Sequence, residues 1–91
     1  MIDRVAEITR RLELEFEPDH LEVIDEGHLH EGHAGARDGR GHFRVRIRAR
    51  AFSDLTPIQR HRLIYDCLGD LLKTDVHALA IEASSSGSAK T

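Results

Sequence analysis

The sequence predicts a single α+β domain in the order helix–strand–strand–helix–strand, with a three-stranded mixed sheet and both helices on one of its faces. Three observations carry this. An amphipathic stripe of Ile2, Val5, Ile8 and Leu12 opens the chain. A strictly alternating run, "HFRVRIRAR", occupies its middle. A second helix start, "LTPIQ", precedes a last short apolar strand. With 91 residues, 40% of them hydrophobic and 32% charged, the composition is that of a globular domain with one modest core.

The first helix meets Pro18, which forbids continuation past Glu17. "HLEVID" then alternates, with Leu21 and Val23 on one side and Glu22 and Ile24 on the other, as a short strand does. From Glu26 to Gly41 periodicity disappears and Gly27, Gly32, Gly35, Gly39 and Gly41 accumulate. A loop of that length asks for a functional explanation. In the alternating run, Phe43, Val45, Ile47 and Ala49 share the buried face, and His42, Arg44, Arg46, Arg48 and Arg50 share the wet one.

Thr56 is the expected N-cap of the second helix, with Pro57 at its first position and Gln59 completing a capping box. The stripe of Ile64, Cys67, Leu68, Leu71 and Leu72, with Leu63 at its margin, predicts a helix running to about Lys73. "TDV" makes a turn, and "HALAIEA" reads as the last strand. The first two strands pair antiparallel, and a right-handed crossover sets the third parallel to the second. "SSSGSAKT" has nothing to bury, so the expected division is a domain over 1–83 and a disordered tail over 84–91.

One cysteine, Cys67, excludes an internal disulfide and any CxxC zinc pattern, and it points to a reducing compartment. The N-terminal "MIDRVAEITRR" is neither a secretory signal nor a transit peptide, and no apolar run is long enough to span a bilayer. The cytoplasm is the expected setting. The formal charge of −3 turns positive if all seven histidines protonate.

"DEGHLHEGHAG" places His28, His30 and His33 among glycines. Imidazole is the commonest metal-binding side chain, and glycine lets the backbone turn it inward. A merely solvated polar loop is the competing reading, and HxHxxH without a cysteine pair is no zinc signature. His77 opens the last strand among Val76, Ala78 and Leu79, a position that fixes a side chain as a ligand or an acid–base group requires. A hydrogen-bonded structural histidine is the alternative there. His61 suits packing or capping, His42 a surface or loop-fixing place, and His20 has no distinguishing context.

Arg44, Arg46, Arg48 and Arg50, joined by Arg60 and Arg62, offer cations that can track phosphates. Against this stand an acidic chain, three Phe and one Tyr for stacking, and no aromatic RNA-recognition motif. Cys67 lies in an apolar stripe, where a thiol is inert. No arrangement of nucleophile, base and acid can be argued from spacing, so an enzyme is not expected.

Four segments in order, "LEVIDEGHLHEGHAG", "GHFRVRIRARAF", "LTPIQRHRLIYDCLGDLL" and "VHALAIEA", resemble the BolA family from about Ile2 to Ala83. The resemblance implies a fold similar to type II KH domains. It also implies a partner, a monothiol glutaredoxin, joined through a bridging [2Fe-2S] cluster. The partner and its glutathione supply thiolates, and the BolA-like chain supplies a loop histidine and a histidine at the start of the last strand. His77 matches the latter. His33 matches the loop ligand best by its distance ahead of "HF", His30 fits with a different loop gap, and His28 fits least. Histidine in place of thiolate raises the reduction potential of an iron–sulfur centre, and its ligation is lost on protonation. Some members of the family are DNA-binding regulators. That alternative falls on the arginine stripe and on Thr56 to Arg62, although "FSDLTPIQ" lacks the GxxG of nucleic-acid-binding KH domains. A histidine-rich zinc or copper binder is a third, weaker reading.

Overall fold

Asp3 opens the first helix, α1 (Arg4–Phe16), by accepting the Ala6 backbone N–H at 3.1 Å. The computed structural model describes residues 3–27 and 41–85. Helix α1 buries Ile8, Leu12 and Phe16. Phe16 extends the expected stripe by one turn, and Ile2 lies outside the described residues. The helix ends at Glu17 in the left-handed region (φ 47°, ψ 56°), directly before Pro18, as the sequence requires.

Strand β1 (His20–Asp25) pairs antiparallel with β2 (Gly41–Arg48), and β2 pairs parallel with β3 (Val76–Ser84). The order is β1-β2-β3, the mixed sheet expected. Phe43, Val45 and Ile47 on β2 are buried, flanked by Leu21 and Val23 on β1 and by Leu79 and Ile81 on β3. The helices close this face with Ile8, Leu12, Ile64 and Leu68, each fully buried. Burying a large aliphatic stabilises by roughly 1.5–3 kcal/mol, so this shared core dominates the individual caps.

Three expectations are corrected. The alternation of β2 stops at Arg48, and Arg50 begins a 3-10 turn (Arg50–Phe52) that drives Phe52 into the core. The second helix does not reach Lys73. Helix α2 (Pro57–Leu68) ends at Gly69, whose φ of 51° suits glycine, and a short α3 (Leu71–Thr74) follows. Leu71 and Leu72 keep the apolar spacing across the break, which is why the two read as one. Strand β3 includes Ser84, and the Ser85 hydroxyl lies 2.7 Å from that of Ser53, so the ordered chain enters the stretch expected to be tail. Residues 86–91 lie outside the described set.

The capping box of α2 is formed as expected: Thr56 Oγ1 accepts the Gln59 N–H at 3.2 Å, and Gln59 Oε1 accepts the Thr56 N–H at 2.9 Å. At the other end of α2, Arg11 reaches across from α1 to donate to the Leu68 carbonyl at 2.9 Å. Arg10 and Arg11 both bond Glu7, at 2.6 and 2.8 Å, and hold its carboxyl down at about 2. A carboxyl lowered by folding contributes stability fully above its ordinary value of 4.5 and loses that contribution as pH falls towards 2. Glu7→Gln is therefore expected to flatten the acid side of the thermal-midpoint profile between those limits, with a smaller difference at high salt.

A candidate metal-binding site at the start of the last strand

Alternation decides which way each strand residue points, and it breaks at one place. On β3, Leu79 and Ile81 pack on the core, so counting back by twos would send His77 inward too. The register shifts instead. Gly41 pairs with Val76, but His42 pairs with Ala78, leaving His77 as an extra residue in a β-bulge. Val76 takes the core position, 3% exposed, and His77 is turned out to solvent. The His77 ring then lies against His42 on the open face, with centroids 5.1 Å apart and planes at 54°.

The bulge is held from both sides. The Gly41 N–H donates to the Asp75 carbonyl at 2.9 Å, and Arg4 of α1 bonds the Asp75 carboxylate at 3.1 Å. The hydroxyl of Thr74 and the Arg4 guanidinium keep the Asp75 carboxyl below its ordinary value, hence charged. Gly41 has a steric role as well. A Cβ there would meet the buried Phe43 ring at 2.6 Å. Gly41→Ala is expected to displace that ring, to cost about 1–3 kcal/mol by overpacking, and to shift the His42 and His77 resonances together.

Gly27 and Gly41, which flank residues 28–40 in sequence, lie at this same end. His28, His30 and His33 lie outside the described residues. Among the described residues no group of three metal-ligating side chains occurs, so His77 and His42 are what the described part of this end contributes. An exposed, strand-borne imidazole is a suitable donor for iron or another borderline metal. The sequence alone assigns His42 a surface or loop-fixing place and does not reveal its contact with His77. The missing signal was the bulge, since strict pairing puts the two on opposite faces.

The arginines fall apart as a set. On the open face Arg44 bonds Glu26 at 2.8 Å and Glu82 at 2.9 Å. Arg46 lies 3.3 Å from Glu82 and 3.7 Å from Glu22, and Arg48 lies 3.6 Å from Asp19. Arg60 is on α2, behind the sheet, and donates to the carbonyls of Phe52 and Ala83. Arg62 is exposed on the same helix, beside His61 and Tyr65. Cys67 is half-buried with its thiol donating to the Arg11 carbonyl at 3.4 Å, and burial pushes that thiol up, away from nucleophilic use.

A small mixed sheet backed by helices, with an imidazole pair at the end of β2 and β3 next to Gly41, defines an α+β domain. The comparisons name it. The BolA-like protein family matches residues 12–87, and the chain belongs to that family. It is 46% identical over 85 residues to SufE-like protein 1, chloroplastic/mitochondrial, of Arabidopsis thaliana, covering 88% of this chain but 23% of that one. It is 39% identical over 74 residues to the DNA-binding transcriptional regulator BolA of Vibrio cholerae, covering 81% of this chain and 67% of that one. Among solved structures, the BolA domain of SufE1 from Arabidopsis thaliana superposes with a TM-score of 0.82 at 42% identity, covering 94% of this chain and 95% of the other. Among the described residues no helix is long and apolar enough to cross a membrane.

Proposed function

We propose that this chain is a non-enzymatic iron–sulfur adaptor that holds a bridging [2Fe-2S] cluster jointly with a monothiol glutaredoxin. His77 is the ligand from the strand, and His33 or His30 the ligand from the glycine-rich segment. The observation that carries the reading is the bulge, which takes a histidine off a core-facing position and exposes it where that segment is anchored. The eight peptide steps from His33 to Gly41 span at most roughly 28 Å, ample to bring the ring back to the sheet end. When bound, the cluster supplies one-electron chemistry or is itself the cargo. The protein's share is to present imidazoles from one side and leave the rest of the coordination to the partner. The cytoplasm, a reducing compartment, is the proposed setting.

The test is a titration of the apo-protein into a cluster-loaded monothiol glutaredoxin, followed by visible absorption and circular dichroism. A new spectrum saturating at one chain per cluster is expected. A spectrum that stays that of the glutaredoxin alone overturns the reading.

A DNA-binding regulator is the second reading, favoured by the name of the Vibrio cholerae relative. Arg44, Arg46, Arg60 and Arg62 would carry it. The carboxylates beside Arg44 and Arg46 weigh against phosphate contacts, since each must be displaced first. A DNA affinity without a steep salt dependence would rule those contacts out.

A further inference from the structure

We propose that His42 is a positioning residue for His77: its ring is the wall that holds the exposed imidazole in one orientation. The inference rests on the iron–sulfur reading for its functional meaning, but its physical basis is independent of it. His77 is the bulged residue, outside the regular Cα register of β2 and β3. Beside His77 on β3, Val76 points into the core. His42 is half-buried, with both ring nitrogens withdrawn from solvent, where His77 is exposed, and the 5.1 Å separation lies in the range where ring pairs attract. His42 is itself anchored in the regular part of β2, between the hydrogen-bonded Gly41 and the buried Phe43. Opposite it, Ala78 and Ala80 leave a shallow cavity of about 310 Å³ bounded by Glu26, Arg44 and His42. The inner ring is therefore fixed and the outer one leans on it, which is the arrangement a ligand with two free torsions needs.

The free protein gives the direct test. Three-bond couplings across Cα–Cβ of His77, and long-range proton–nitrogen correlations of its ring, report its rotamer and tautomer. In the wild type and in His42→Phe, which keeps a flat ring in place, one rotamer and one tautomer are expected. In His42→Ala the couplings are expected to average. In the mixed complex His42→Phe is expected to retain the cluster spectrum, and His42→Ala to weaken cluster retention by about 10-fold, the lower end for loss of an orienting partner. The proposal is overturned if His42→Ala leaves the His77 couplings of the wild type. It is overturned equally if His42→Phe loses the cluster as completely as His77→Ala, since His42 would then be a ligand and not a support. Should His77→Ala itself leave the complex unchanged, the assignment of His77 as a ligand falls, while the couplings in the free protein still decide whether His42 holds the ring.

Discussion

His77→Ala is expected to remove the circular dichroism of the mixed cluster complex while leaving the free protein folded. The side chain is exposed, and the core position beside it belongs to Val76, so the change in folding stability should stay within about 0.5 kcal/mol. The change in cluster binding should be large. Removing even an outer partner of a metal ligand costs about 10- to 100-fold in affinity, so removing the ligand should exceed about 100-fold. His61→Ala is the matched control, being exposed on α2 and remote from the bulge. Equal loss in both variants would mean a general effect, and no loss in His77→Ala would remove the residue from the site.

Phe52→Ala is expected to be the most destabilising single change in the chain. Phe52 is fully buried at the end of the 3-10 turn, and its ring lies 5.0 Å from that of Phe16 at 43°. Truncating a buried phenylalanine costs about 3–5 kcal/mol, and a domain of this size holds only about 5–15 kcal/mol in total. The urea midpoint should therefore fall by about a fifth or more, with the slope unchanged if the denatured state is unaffected. An alanine variant with the wild-type midpoint would show that the turn does not anchor the core. The residue earns its weight from position: it ties the end of β2, the start of α2 and the last turn of α1 into one cluster.

Much of this fold is legible from local chemistry. Alternation in β2 names its buried face residue by residue, and Thr56, Pro57 and Gln59 mark the start of α2. The strand pairing follows from connection rules, because a helix between two neighbouring strands favours the parallel arrangement. The failures share one cause. Gly69 breaks a helix whose apolar spacing continues through Leu71 and Leu72, so periodicity alone hides the break. The end of β2 is concealed in the same way by Ala49, which keeps the alternation although the strand is over. At the site, the position of His77 was legible but its direction was not. A bulge is a fact about two strands, and one strand's sequence contains half of it. His42 was overlooked for that reason, and the carboxylates that answer Arg44 and Arg46 come from β1, from Glu26 just beyond it and from β3, which no reading of β2 alone can supply.

The placement of Arg4 and Ser85, near the two limits of the described residues, bears on attaching anything beside them. Arg4 sits on Asp75, next to the histidine, whereas Ser85 meets Ser53 at the opposite rim, about 25 Å away along an eight-residue strand. A tether fused after Ser85 starts on the far side and leaves the approach to the imidazoles open. One fused ahead of Asp3 begins beside them and competes with any incoming protein.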